Sequence, residues 1–162
     1  MNIGIFIHSQ SGHTSTLGMA IVHKLREEGH DVDIELLKSL KRARPLMKHV
    51  ELKNVPKIDG YDVIMLGGPV WAFHPSPLLL SLIDEIPHLK NKRALCFVTT
   101  GFPGKFSGGK SVLRKIDAKL DALGATVLKG EPYCWGLWLD KKRMEQAARK
   151  ICNAVLSHRE TL

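Results

Sequence analysis

Five hydroxyl side chains follow the first apolar segment of the chain and could surround an anion. They lie between an apolar run at 3–7, typical of a parallel strand covered on both faces, and a segment with helical spacing. These side chains are Ser9, Ser11, Thr14, Ser15 and Thr16. Because the free amides of a helix N-terminus stabilise negative charge, the pattern predicts a strand, a phosphate loop and a helix over 16–28 that Gly29 ends.

The composition of this loop indicates which phosphate it suits. It lacks the two glycines and the following lysine of a nucleoside triphosphate loop, and it has only Gly12 of the dinucleotide fingerprint. Hydroxyls and amides without a cation suit a terminal phosphate monoester that is bound without metal. A helix cap rich in serine and threonine, with no ligand, is the alternative interpretation.

Two further loops follow apolar strands and differ from the first in composition. The strand predicted over 61–68 leads to a loop that has Trp71 and Phe73 among prolines, and the strand predicted over 93–100 leads to a loop rich in threonine and glycine. Ligands of doubly wound sheets gather beyond the carboxyl ends of the strands. One site could therefore combine a phosphate cradle, a flat apolar clamp and amides that face a heterocycle, although ordinary loop packing also explains the aromatics. His8, at the end of the first strand, could line this site or orient its loop.

Strands alternate with helices along the chain, which predicts one α/β domain over 1–162 with a doubly wound parallel sheet. The alternating segment 31–37 predicts an edge strand at the sheet margin, and a last strand is predicted over 125–129, followed by a connection over 130–139. The other predicted helices are a short one over 46–52, then 77–86, 110–123 and a final one that Asp140 caps and that reaches residue 156.

The bulk composition bounds the class of protein. The 162 residues are 44% hydrophobic, which supports one compact core. No apolar run approaches the roughly 18 residues of a membrane span, and the chain starts directly with a strand, so we expect a soluble, cytoplasmic protein. Cys96, Cys134 and Cys152 are widely spaced and match neither a disulfide framework nor a zinc site, which predicts free thiols and no metal.

The positive charge is concentrated in one segment, residues 38–57, which we call the basic segment. It carries seven basic residues and one acidic residue, or +6 of the formal net charge of +8. Such a segment could bind an acidic protein, the phosphates of a nicotinamide cofactor, nucleic acid or an anionic membrane, and a merely solvated connection is the alternative. Nucleic acid is disfavoured because the segment lacks interleaved aromatic residues.

The three loops together resemble those of the flavodoxin family. Ser9-Gln10-Ser11-Gly12-His13-Thr14 resembles that family's T-x-T-G-N-T phosphate loop, with serine for threonine twice and His13 where asparagine is usual. Gly68-Pro69-Val70-Trp71 with Pro75-Ser76-Pro77 resembles the second flavin loop, and Thr99-Thr100-Gly101 resembles the third. The resemblance implies a five-stranded parallel sheet of order 2-1-3-4-5 with helices on both faces.

The resemblance also implies a non-covalent FMN and the residues that bind it. Its phosphate is expected on Ser9, Ser11, Gly12, His13 and Thr14. The flavin ring is expected between the second and third loops, with Trp71 as the stacking residue. The expected ring contacts are Pro69, Val70, Trp71, Ala72 and Phe73 in the second loop, and Thr99, Thr100, Gly101 and Gly104 in the third.

The charge of the chain leaves two functions open. Electron-carrier flavodoxins are typically acidic, whereas this chain is basic, and Ala72 stands where carriers often have a glycine. The first hypothesis is an NAD(P)H-dependent FMN oxidoreductase that reduces a quinone or similar acceptor, with Lys38, Lys41 or Arg42 attracting the phosphates of the nicotinamide. The second is a non-catalytic electron-transfer flavodoxin that docks on an acidic redox partner. A flavodoxin-like binding module is supported only by the basic segment.

Overall fold

A computed structural model describes residues 1–103, 107–136 and 141–157 of the chain. Strands and helices alternate as the sequence predicts, with one additional short strand. In chain order they are β1 (Asn2–Ile7), α1 (His13–Glu27), β2 (Asp31–Leu36), β3 (Val63–Pro69), α2 (Pro77–Glu85), β4 (Arg93–Thr100), α3 (Gly109–Ala122), β5 (Thr126–Leu128), β6 (Pro132–Cys134) and α4 (Lys141–Ser157).

The strands form one parallel sheet of order β2-β1-β3-β4-β5, which confirms the predicted fold class and strand order. β2 lies at one margin, as its alternating sequence predicts, and it exposes Asp31, Asp33 and Glu35. β4 lies inside the sheet and is buried from Ala94 to Thr100. The first, third and fourth strands in the chain therefore end side by side at the edge where the three loops begin.

Helices cover both faces of the sheet, so the core has two layers. On one face α1 and α4 pack against side chains such as Ile5, Met65 and Phe97. On the other face α2 and α3 pack against side chains such as Ile64 and Leu66. Because neighbouring residues of a strand point to opposite faces, apolar strands of this kind supply both layers at once.

The connection predicted over 130–139 contains a strand, β6, that sequence reasoning missed. β6 is parallel to β4 and continues the line of β5: Leu128 lies opposite Leu95, whereas Pro132 lies opposite Val98. The segment that contains β5 and β6 thus has one residue more between Leu128 and Pro132 than β4 has between Leu95 and Val98, as in a β-bulge. At the bulge Gly130 passes so close to β4 that an added Cβ would lie 1.6 Å from the Cys96 carbonyl oxygen.

The short helix predicted over 46–52 is wrong. The basic segment instead folds back on itself through an antiparallel bridge between Ser39 and Leu52. The amide of Val50 donates to Ser81 Oγ at 2.8 Å, and the Val50 side chain is buried in the core. The local apolar spacing arises because Val50 anchors the segment on α2, not because the segment is helical.

The remaining boundaries differ by a few residues. α1 begins at His13 instead of residue 16, since Gly12 takes a left-handed conformation with φ of 89° and caps it. The predicted cap Asp140 lies outside the described residues. Cys96, Cys134 and Cys152 are free cysteines. Within the described residues, no helix is both long and apolar enough to span a membrane. No group of three potential metal ligands occurs in that same part of the chain.

Candidate functional site

The first loop leaves open space at the N-terminus of α1. Its cap residue is Gly12, which has no side chain to cover the helix amides, and the first turn of the helix carries no acidic residue. A Cβ added at Gly12 would meet no atom within 4 Å. Because helix N-termini present amide donors and partial positive charge, this space suits an anion such as a phosphate group.

Most hydroxyls of the first loop hold the loop itself. Ser9 Oγ accepts a hydrogen bond from the Ser15 amide at 3.2 Å and donates to Ser15 Oγ at 3.3 Å. Ser15 Oγ and Thr16 Oγ1 both donate to the Gly12 carbonyl oxygen, at 3.0 and 2.7 Å. Ser11 is exposed. Apart from the Ser15 amide, which already donates to Ser9 Oγ, the first amides of α1 and Ser11 are therefore the groups of this loop that are best placed to face a ligand.

Thr14 joins the first loop to the third. Its hydroxyl lies 2.7 Å from the hydroxyl of Thr99, and both side chains are buried. Thr100 Oγ1 donates to the Phe102 carbonyl oxygen at 3.0 Å, which shapes the start of the third loop. Thr14, in the first turn of α1, thus lies against the end of β4, where Thr99 and Thr100 are neighbours. Gly104 falls outside the described residues.

The second loop makes a tight turn in an unfavourable backbone conformation. Trp71 and His74 exchange two backbone hydrogen bonds, at 3.1 and 2.8 Å. The two residues between them, Ala72 and Phe73, have φ values of 48° and 64°. Turns of this kind favour asparagine and glycine, and other residues adopt the left-handed region at a cost of about 1 kcal/mol or more each. Backbone strain is therefore stored beside the predicted stacking residue.

The second loop also contacts the third. The Val70 amide donates to the Thr99 carbonyl oxygen at 2.9 Å, and Pro69 lies opposite Thr99 in the sheet. Further out, a Cβ added at Gly108 would lie 3.2 Å from the Cα of Phe73, so the two loops approach closely there. The Phe73 side chain remains 64% exposed.

His8 joins the first loop to the second. Its Nδ1 is hydrogen-bonded to Ser76 Oγ at 2.6 Å, and its ring meets Trp71 edge to face, with centroids 4.9 Å apart. Burial lowers the pKa of His8 from 6.5 to about 4. The imidazole is consequently neutral near pH 7, and it supports both Trp71 and the residue that caps α2.

Trp135 is a residue of the site that sequence reasoning missed. Its ring stacks on that of His13, with centroids 3.8 Å apart and planes 7° from parallel. It also covers Gly101, where an added Cβ would lie 3.4 Å from the indole, and its amide donates to the Thr100 carbonyl oxygen. No local sequence signal marks it, because it is β6, formed by pairing with β4, that brings Trp135 to the sheet edge where the three loops meet.

The arrangement fits FMN at several points. Open space beside the α1 amides suits the phosphate. Trp71 offers an indole that could stack on a flat ring. Main-chain groups of Thr99 to Gly101 lie next to the second loop, which carries Trp71. Such a division between a phosphate cradle and an apolar clamp is what a flavin mononucleotide requires. The three loops are linked in pairs, so they lie together at one place on the sheet edge.

The sheet order and the position of these loops define a doubly wound α/β protein, and comparison with solved structures specifies it further: the chain has the flavodoxin fold. It is similar to oxidised flavodoxin 1 from Bacillus cereus over 96% of this chain and 98% of that chain, with a TM-score of 0.67 and 19% identity. A short-chain flavodoxin associated with a PDU bacterial microcompartment gives a TM-score of 0.70 with 11% identity, over 98% of each chain.

A third similar structure comes from Klebsiella pneumoniae and is assigned provisionally to the quinone reductases. It gives a TM-score of 0.68 with 15% identity, over 99% of this chain and 86% of that chain. No protein-family model matches the sequence, and no curated protein matches it either. At these identities the similarity lies in the fold.

Proposed function

We propose that this protein binds FMN non-covalently and acts as an NAD(P)H-dependent oxidoreductase with a quinone or similar small acceptor. The observation that carries the proposal is the joining of three loops, through Thr14, His8 and Val70, at the edge of the sheet where the strand order reverses. When bound, the flavin supplies hydride and electron transfer. In this reaction NAD(P)H gives up a hydride and becomes NAD(P)⁺, the solvent supplies a proton, and the quinone is reduced to a quinol.

The chain's own residues bind and orient the cofactor in this proposal. The phosphate lies against the α1 amides, with contacts from Ser9, Ser11, Gly12, His13 and Thr14. The ring lies between the second loop, from Pro69 and Val70 to Ala72 and Phe73, and the third loop at Thr99, Thr100, Gly101 and Gly104. Neutral His8 holds the indole of Trp71 in place, and its low pKa keeps that support constant around pH 7.

One observation supports the reductase over a pure carrier. The chain has a formal net charge of +8, and phosphate-bearing nucleotides are anions that such a field attracts.

An electron-transfer flavodoxin that docks on an acidic redox partner is the second candidate. Phe73 is 64% exposed and Phe102 is 73% exposed, and both lie at the rim of the candidate site. Exposed aromatics on a chain with a formal net charge of +8 are a surface that an acidic protein could cover.

Titration of the purified protein with FMN, followed by flavin absorbance and fluorescence, tests the cofactor. We expect Trp71→Ala to weaken FMN binding by about tenfold or more, because the ring loses its stacking partner. Tyr61→Leu is the matched control: Tyr61 is an aromatic residue that precedes β3, at the opposite end of the sheet, and packs edge to face on Phe6. Equal losses in both variants, or no FMN binding by the unmodified protein, would overturn the proposal.

Anaerobic titration of the FMN-loaded protein separates the two candidates. Rapid loss of flavin absorbance on addition of NADPH or NADH, with recovery on addition of a quinone, is the result expected of the reductase. If only dithionite reduces the flavin, the electron-transfer function replaces the enzyme.

A further inference from the structure

We propose that a basic cleft beside Trp71 binds the phosphate groups of the reducing nucleotide and thereby selects NADPH over NADH. The inference rests on the reductase function proposed above. The cleft is lined by Lys38, Arg42 and Lys53, together with Trp71 and the buried His8. It has a volume of about 300 Å³ and adjoins a second hollow of about 410 Å³.

The two hollows form one continuous surface because they share lining residues. Gln10, Arg42, Ala43 and Trp71 line both, and the second hollow adds Arg44 and Pro45. Volumes of this size are at the lower end of those of small-molecule sites. The cleft can therefore hold a part of a nucleotide.

The cations of the cleft are brought together by backbone pairing. The Lys53 amide donates to the Lys38 carbonyl oxygen at 2.8 Å, and the Leu40 amide donates to the Glu51 carbonyl oxygen at 2.9 Å. Ser39 Oγ donates to the Lys41 carbonyl oxygen at 2.6 Å, which fixes the turn that leads into Arg42. Lys38 and Lys53, although far apart in the sequence, thus sit at the same opening, because the segment folds back on itself.

Among the described residues, no acidic side chain lines either hollow, so the positive charges of the cleft are not neutralised there. Across the same ranges, none of Lys38, Arg42 and Lys53 forms an ion pair within 4.0 Å. The basic segment's one acidic residue, Glu51, is absent from the lining. Like charges held close together repel each other, and a bound anion relieves that repulsion.

The lining also indicates which anion suits the cleft. A guanidinium with two ammonium groups matches a phosphomonoester, which carries close to two negative charges, better than a single carboxylate. The floor is apolar, with buried Leu37 and Leu78. A flat ring joined to a phosphate satisfies both parts of this surface, and NADPH differs from NADH by one phosphomonoester.

The position of the cleft ties it to the candidate flavin site. Trp71 belongs to the second loop and also lines both hollows, and His8 and Ser9 connect the cleft to the first loop. A nucleotide held by its phosphates here lies directly beside the ring-binding loop. Lys41, although it belongs to the same segment, does not line the cleft.

Calorimetric titration of the flavin-free protein with NADP⁺, NAD⁺ and adenosine 2′,5′-bisphosphate tests the assignment. We expect NADP⁺ and the bisphosphate to bind about tenfold or more tightly than NAD⁺, and Arg42→Glu and Lys53→Glu each to remove that difference. Lys41→Glu is the matched control, with the same change of net charge in the same segment, and it should retain the preference within about twofold. Thermal melting confirms that each variant is folded.

Two outcomes would overturn the assignment. Equal affinity for NADP⁺ and NAD⁺ excludes a phosphomonoester site, and an equal loss in Lys41→Glu and Arg42→Glu indicates a long-range field and not a cleft. FMN titrations of the same variants keep the two proposals apart: FMN binding without nucleotide preference rejects the cleft alone, whereas nucleotide preference without FMN binding rejects the flavin site alone.

Discussion

The first and second loops of the candidate site are built in opposite ways. In the first loop the left-handed position is occupied by a glycine, Gly12, and the hydroxyls of Ser9 and Ser15 bond within the loop. In the second loop the left-handed positions are occupied by Ala72 and Phe73, whose side chains are exposed. The first loop therefore keeps its shape without a ligand at little cost, whereas the second stores strain that a change of conformation could release.

The difference indicates how the two loops should respond to a ligand. We expect a phosphate to enter a cradle that is already formed, so that little binding free energy is lost to ordering of the chain. We expect a flat ring instead to meet a turn whose backbone is in an unfavourable region. The indole of that turn, Trp71, packs edge to face with His8. Variants that change one loop at a time should show this division.

The largest effect on ligand binding is expected in the first loop. Gly12→Ala should weaken FMN binding by about a hundredfold, since the new methyl group enters the space beside the α1 amides and the left-handed backbone disfavours alanine. Gly29→Ala is a matched control, because Gly29 has φ of 80° and equally open surroundings but lies at the far end of α1. Both variants should lose about 1 kcal/mol of unfolding free energy. Similar FMN titrations for the two would contradict the placement of the phosphate.

His8, which links the loops, should make stability depend on pH. Its pKa is about 4 in the folded protein against an ordinary value of 6.5, so below pH 6.5 the unfolded chain binds a proton that the folded chain does not. The free energy of unfolding should fall by about 3 kcal/mol as the pH decreases from 6.5 towards 4, and His8→Asn should remove this part of the slope.

Variants must be compared in this measurement because Asp117 changes the free energy of unfolding with pH in the direction opposite to His8. Burial raises the pKa of Asp117 from 3.8 to about 6, so the folded chain holds a proton that the unfolded chain has lost between these pH values. The contribution of Asp117 to the free energy of unfolding therefore falls as the pH rises from 3.8 to about 6. Denaturant unfolding at several pH values, with His88→Asn as a control at an exposed histidine, isolates the effect of His8. Parallel curves for the unmodified protein and His8→Asn would mean that His8 is not held neutral.

The smallest effect is expected from releasing the strain of the second loop. Ala72→Gly should raise the free energy of unfolding by about 0.5–1 kcal/mol, since glycine adopts φ near 48° without a steric penalty. The same replacement at Ala118, an exposed position inside α3, should lower it by about 1 kcal/mol. Chemical denaturation of both variants measures the two signs. A loss of stability in Ala72→Gly would show that the turn is not strained.

Local sequence patterns predict the strands of the sheet well because their burial is continuous. The run from Arg93 to Thr100 predicts β4 with the bounds that the structure has, and the alternation that starts at Asp31 predicts an edge strand. β6 is only three residues long and starts with a proline, so nothing local distinguishes it from a loop. Its existence depends on pairing with β4, which lies about 34 residues earlier in the chain.

The candidate site is predictable in its loops and less so in the roles of its side chains. Thr14 and Thr99 both lie next to the expected loops, in α1 and β4, yet their hydroxyls bond to each other across 85 positions of sequence. The stack of Trp135 on His13 and the fold of the basic segment around Val50 are likewise long-range contacts. Residue type and spacing indicate which side chains lie near the site. Packing decides which of them are already bonded to other residues of the chain and which remain available to a ligand.

The divided outer strand also bears on how the margins of the sheet avoid pairing with other chains. An open strand edge invites pairing with a second chain, which leads to aggregation. Here β5 and β6 are three residues each and the bulge at Gly130 separates them, so an incoming strand finds no continuous row of donors and acceptors. The opposite margin, β2, carries Asp31, Asp33 and Glu35 at its exposed positions. Both open edges of the sheet are thereby protected against fibril-like growth, one by its shape and the other by its charge.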